Sequence, residues 1–244
     1  MINSIILLNN GLYEPFIAGE LKGINPSLEI TVLNKLADLV AIPHAILKNS
    51  RIISFLSEVI IPLSVINNAG FGVYNFHPGP PMRPGWSPME MAIYEGDKVF
   101  GTTLHEVHQL VDAGAINGMH LFGIPDDVDA LALDQLVSQS IATLFDQRKQ
   151  DLLDRSPLLR LPIPWGYKRS TKATNLAYLD ITKDISSEEL LLRMRAFGYD
   201  EKYKIKFLED GRIFEIENPS SCDGTVDLKQ FQLIHGKKFY MKHV

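Results

Sequence analysis

Phe71-Gly-Val-Tyr-Asn-Phe-His-Pro-Gly-Pro-Pro81 is the stretch from which the fold is read. Its first half is apolar and aromatic, the composition of a buried strand. Pro80 and Pro81 stop that strand, because two consecutive prolines cannot stay in a central ladder. Asn75 and His77 are two apart, so alternation puts both on one face at the strand's C-terminal end. In open α/β sheets that edge is where ligands sit. An amide and an imidazole side by side there suit carbonyl chemistry. The amide N–H donates to a developing oxyanion, and the imidazole relays a proton near neutral pH.

Downstream, Ser87 reads as an N-cap, Pro88 as the first helical residue and Glu90 as the partner in a capping box. Gly96 reads as the helix stop. Val99 to Val107 follows as another strand and delivers Val111-Asp112-Ala113-Gly114 as a loop, expected on the same edge. A carboxylate beside His77 orients the ring and holds its proton. On spacing alone the plainer reading stays open: a turn-forming asparagine and an ordinary Asp-Ala-Gly loop.

Upstream, Met1 to Leu8 reads as a buried parallel strand, Tyr13 to Lys22 as a helix, Leu28 to Leu33 as a second strand and Arg51 to Phe55 as a third. Leu36 to Lys48 reads as helix interrupted near Pro43. Alternating short strands and helices predict an α/β fold with an open, mostly parallel sheet. The loop after the first strand has neither Gly-x-Gly-x-x-Gly nor Lys-Ser/Thr, so neither a dinucleotide fingerprint nor a P-loop is present.

Apolar residues make up 45% of the 244-residue chain and charged residues 22%, values of a globular protein. The net charge of −5 supplies no broad positive field for a phosphate backbone. The first residues lack a basic stretch, and no apolar run approaches the ~18 residues of a membrane span. Cys222 is alone, so no intramolecular disulfide forms. A cytoplasmic, reducing location is expected.

Asp126 to Asp129 reads as a helix start, and Leu131 to Leu153 as a long helix with a core stripe at Leu136, Val137, Ile141, Leu144 and Phe145. Three prolines between Pro157 and Pro164 mark a boundary, giving a catalytic domain over 1–160 and a small α+β unit over 161–244. Trp165, Tyr167, Lys168, Arg169 and Lys172 mix aromatic and cationic side chains, which suits a phosphorylated substrate as well as an exposed connector. Ser186-Ser-Glu-Glu189 opens a helix that Gly198 ends. Asp210-Gly211 and His235-Gly236 signal two hairpins.

The set Asn75-x-His77, a Pro/Gly loop, Gly101-x-Thr-x-His105 and Val111-Asp-Ala-Gly-x-Ile116 resembles the folate-dependent formyltransferases. That family includes methionyl-tRNA formyltransferase, glycinamide ribonucleotide formyltransferase and the N-formyltransferases of nucleotide-linked amino sugars. The resemblance is specific over Ile52 to Ile116 and is nearest to the sugar enzymes. It implies a Rossmann-like catalytic sheet, catalytic roles for Asn75, His77 and Asp112, and 10-formyltetrahydrofolate as formyl donor, without a metal. It places the pterin against Ser57, Glu58, Val59 and Ile60, with Val111 to Gly114 as the other wall. Many members carry Ser-Leu-Leu-Pro and an Arg-Gly pair after the histidine, whereas Pro78-Gly-Pro-Pro-Met-Arg83-Pro-Gly85 stands here. Arg83 and the Trp165–Arg169 run are assigned to the acceptor. The region before Asn75 is short for the family, so an abbreviated helix or strand is expected there. The short C-terminal region and the net negative charge of the whole chain favour a nucleotide-linked amino sugar over tRNA, with no nucleic acid or membrane as partner and a homodimer left open. Hydrolysis of the donor and non-catalytic folate binding are the alternatives.

Overall fold

The computed structural model describes residues 1–182, 184–198, 202–209, 211–217, 230–234 and 237–243. Cys222, Tyr199, Asp210 and the His235-Gly236 turn lie outside the described residues. The chain forms two compact units. The first comprises 1–84, 101–122 and 137–169, the second 85–100, 123–136 and 170–244.

The elements in chain order are β1 (Ser4–Leu8), α1 (Glu14–Ile24), β2 (Glu29–Leu33), α2 (Leu36–Val40), α3 (His44–Leu47), β3 (Arg51–Phe55), α4 (Leu63–Ile66) and β4 (Val73–His77). Next come α5 (Pro88–Glu95), β5 (Val99–Glu106), β6 (Ile116–Gly123) and α6 (Ala130–Arg148). The remainder are α7 (Lys172–Leu176), β7 (Asp180–Thr182), α8 (Ser187–Phe197), β8 (Lys206–Glu209), β9 (Arg212–Glu217), β10 (Gln230–Ile234) and β11 (Lys237–His243).

A six-stranded sheet in the order β2-β1-β3-β4-β5-β6 forms the first unit. β1 pairs in parallel with β2 and β3, β3 with β4, and β4 pairs antiparallel with β5. This is the expected mostly parallel, Rossmann-like arrangement. Strands covered on both faces must be apolar on both, and all five residues of β3 are buried. One face carries Ile5, Leu7, Ile53, Phe55, Tyr74 and Phe76 against Ile17 and Leu21 of α1 and Ile141, Leu144 and Phe145 of α6. The other carries Ile6, Leu8, Ile52 and Val73 against Leu39, Leu47 and Val65 of the short helices α2, α3 and α4. Each buried large apolar side chain contributes about 1.5–3 kcal/mol.

Arg51 is fully buried at the start of β3. Its guanidinium donates to the carbonyls of Phe71 at 2.8 Å, Asp151 at 2.9 Å, Leu152 at 2.8 Å and Ser156 at 2.8 Å. The long helix stops at Arg148, not Leu153, and Asp151–Leu153 forms a separate 3-10 turn whose first two carbonyls face Arg51.

The second unit has a five-stranded sheet, β10-β11-β9-β8-β7, and both expected hairpins pair antiparallel. Tyr94, Tyr178 and Phe197 pack together, with ring centroids 4.6–6.0 Å apart. Ser186 caps α8 by accepting from the Glu189 N–H at 3.1 Å. The Glu189 carboxylate turns away to Arg193 Nε at 2.6 Å and the Tyr94 hydroxyl at 2.8 Å. The expected capping box at Ser87–Glu90 does not form. Pro88 does begin α5 and Gly96 ends it left-handed, but Ser87 itself is left-handed, with φ 49° and no side-chain cap. A capping side chain needs an extended backbone. Here the Ser87 backbone is fixed otherwise, its carbonyl accepting from Asn175 Nδ2 at 3.2 Å.

Candidate active site

β4 carries Val73, Asn75 and His77 on one face. The apolar lining of that face stops at Val73 and gives way to an amide and an imidazole at the strand's C-terminal end. β3 runs parallel beside it, with Ser54 opposite Asn75, so the residues after Phe55 leave from the same edge. β5 runs the other way and sets His105 opposite Asn75 and Thr103 opposite His77. Thr103 Oγ1 donates to the Gly79 carbonyl at 2.7 Å, tying the proline loop to the sheet.

Asp112 enters from the loop after β5, with a left-handed backbone at φ 44°. Its Oδ2 lies 3.5 Å from His77 Nδ1 and its Oδ1 lies 3.3 Å from His105 Nε2. His77 Nε2 faces the Arg83 carbonyl oxygen at 3.2 Å. Asn75 Nδ2 lies 3.1 Å from His105 Nε2. His77, His105 and Asp112 are buried, while Asn75 is half-buried. Burial pushes the His77 imidazole below its ordinary range. Asp112 pulls the other way, His105 lowers it further, and the Arg83 carbonyl and Arg169 act in opposite senses. A neutral ring between two acceptors is placed to receive a proton.

Trp165 covers both rings, its centroid 5.9 Å from His77 and 5.0 Å from His105. Its indole N–H donates to the Gly114 carbonyl at 2.7 Å. Arg169 donates to the carbonyls of Val111 at 2.8 Å and Asp112 at 2.9 Å. Trp165 and Arg169 thus hold the Asp112 loop. Tyr167 is 93% exposed and Lys168 half-buried. Arg83 is 2% exposed and meets His77 through its backbone. Lys172 belongs to the second unit, above the Tyr203 ring.

After β3 the backbone turns left-handed at Leu56, φ 52°. Ser57 Oγ accepts from the Val59 N–H at 3.2 Å, Val59 packs on the second core cluster, and Ile60 is exposed. His108 lies beyond the end of β5, so it does not share that strand with His105. Among the described residues no group of three His, Cys, Asp or Glu side chains is arranged to hold a metal ion.

His105 is the site residue that spacing arguments passed over. The signal was its place in Gly101-x-Thr-x-His105, but its role needs the β4–β5 register, which sets it against Asn75.

The formyl transferase family profile matches residues 53–135, which include Asn75, His77, His105 and Asp112. The candidate site thus lies within a segment similar to the formyl transferase family. Methionyl-tRNA formyltransferase of Methylobacillus flagellatus is 31% identical over 147 residues, covering 57% of this chain and 46% of that protein. The chain therefore spans about half the length of such curated relatives. A sugar N-formyltransferase from a Shewanella species superposes with a TM-score of 0.72 at 19% identity, over 88% of this chain and 96% of that one. HypX from Aquifex aeolicus, solved with tetrahydrofolic acid, superposes with a TM-score of 0.67 at 18% identity, over 89% of this chain and 37% of that one. These two structural likenesses establish the formyltransferase fold.

Proposed function

We propose that this protein is an N-formyltransferase that moves a formyl group from 10-formyltetrahydrofolate to the amine of a nucleotide-linked amino sugar. The observation that carries the reading is the buried His77–Asp112 pair beside the Asn75 amide at the C-terminal end of β4. The 56–60 segment fits the donor. It joins a left-handed turn, which presents backbone polar groups, to the apolar side chains of Val59 and Ile60, the combination that a planar pterin requires. Ser57, Glu58, Val59 and Ile60, with the Val111–Gly114 backbone, would hold it. The donor, when bound, supplies the formyl carbon that the amine attacks.

The chain's own residues do the rest. An Asn75 amide N–H donates to the formyl oxygen as charge gathers there. His77, kept neutral by burial, accepts the amine proton directly or through a water. Asp112 then faces an imidazolium and stabilises it until the ring returns the proton to the folate nitrogen, whose bond to the formyl carbon breaks as the new amide forms. Trp165 excludes water from one side of both imidazoles. Arg83, Tyr167, Lys168 and Arg169, with Trp165, are assigned to the acceptor side.

Relatives named for methionyl-tRNA favour a second reading, in which the acceptor is a charged tRNA. The test is incubation with 10-formyltetrahydrofolate and a panel of nucleotide-linked amino sugars, read by the mass of one added formyl group. Salt dependence separates the two acceptors. Neutralising six to ten phosphates makes binding about 10³–10⁵ weaker between 50 and 200 mM salt, and a diphosphate acceptor has a much shallower slope. A steep slope with efficient formylation of methionyl-tRNA, and no sugar modified, defeats the sugar reading. Folate release without any amine would make water the acceptor.

A further inference from the structure

We propose that His105 is a positioning residue that selects which end of the Asn75 amide faces the reacting carbonyl. The inference deepens the formyl-transfer reading and rests on it for its kinetic test.

His105 Nδ1 lies 2.8 Å from the Glu106 carbonyl oxygen. A carbonyl only accepts, so Nδ1 carries the hydrogen. In the neutral ring Nε2 is then a lone pair, and it meets Asn75 Nδ2 at 3.1 Å. An amide turned the other way would set Oδ1 against that lone pair, two acceptors in contact. The backbone carbonyl of Glu106 thus dictates the tautomer of His105, and the tautomer dictates the orientation of Asn75. One amide N–H is spent on His105. The second stays available to an oxyanion.

Asp112 competes for the same nitrogen. Its Oδ1 is 3.3 Å from Nε2, so a second proton on His105 would make an ion pair there. Nε2 would become a donor, displace the Asn75 N–H and draw the carboxylate away from His77. The Trp165 ring packs at 5.0 Å and the His77 ring at 6.4 Å. Trp165 is itself anchored to Gly114, so the His105 ring has a fixed wall on that side.

Two variants and a cycle test this. His105→Phe keeps a planar ring without the acceptor and should lower kcat about tenfold or more, short of the ~10²–10³ for loss of an oxyanion donor, with little change in KM. His105→Gln, whose amide oxygen can accept from Asn75, should recover most of that loss. In an Asn75→Ala background, His105→Phe should cost little further, because its effect runs through the missing amide. Equal losses in both backgrounds would make His105 merely structural. A second readout needs no activity: nitrogen NMR of ring-labelled histidines in the full chain at neutral pH should show His105 protonated at Nδ1 and bare at Nε2. A hydrogen on Nε2 overturns the proposal. Should the wild type formylate no acceptor, the formyl-transfer reading fails, and the NMR result alone decides the role of His105.

Discussion

The two faces of β4 are both covered, yet they are built by different rules. Tyr74 and Phe76 point into a cluster where Phe55, Phe76 and Phe145 lie with centroids 5.0–6.0 Å apart. Any one partner there is replaceable by another apolar group of like volume. Asn75 and His77, interleaved with them, meet named atoms: a ring nitrogen, a carboxylate oxygen, a backbone carbonyl. Burying two imidazoles and a carboxylate is costly, so that face is the poorer one for stability. Burial alone therefore does not say what a residue is for; the kind of partner it requires does.

The largest expected effect lies on the apolar face. Phe76→Ala should cost about 3–5 kcal/mol in urea unfolding with the slope unchanged. A loss below about 1 kcal/mol would erase the contrast between the faces. On the polar face, Asn75→Ala, His77→Ala and Asp112→Ala should each lose about 10²-fold or more in turnover. Near-normal turnover in His77→Ala would remove His77 from the mechanism.

A smaller effect is read in pH. Burial holds the folded-state pKa of His77 below its unfolded value of about 6.5. On acidification the unfolded chain therefore takes up this proton first. The His77 contribution is complete above about 6.5 and is lost as pH falls through the folded pKa. His77→Gln should flatten that part of the stability curve, whereas Phe76→Ala should shift the curve without flattening it. The acid limb of kcat/KM should likewise fall below 6.5. The smallest test concerns two Ser-x-x-Glu segments. Ser186→Ala should cost about 1 kcal/mol as a lost cap, and Ser87→Ala should lose no cap energy.

That last pair shows where sequence reading reaches its limit. Ser87-Pro-Met-Glu90 and Ser186-Ser-Glu-Glu189 carry the same local signal. What separates them is Asn175, distant in the chain, holding Ser87 by its carbonyl. The parallel strands were legible because their apolar runs are local, and Asn75 and His77 because alternation is local. His105 was not singled out, since its partner follows from an antiparallel register. Arg169 was read as a cation for phosphate. Its bonds to two main-chain carbonyls of the Asp112 loop are what a charge pattern does not reveal.

Arg51 has a consequence for how such chains diverge. All four of its acceptors are main-chain oxygens, at positions 71, 151, 152 and 156. Every residue type carries that oxygen, so substitutions at the four positions leave the acceptors in place. Lysine offers no planar fork to replace the guanidinium. Variation should therefore be lopsided across this clamp, with one position nearly frozen and its four neighbours free to drift around it.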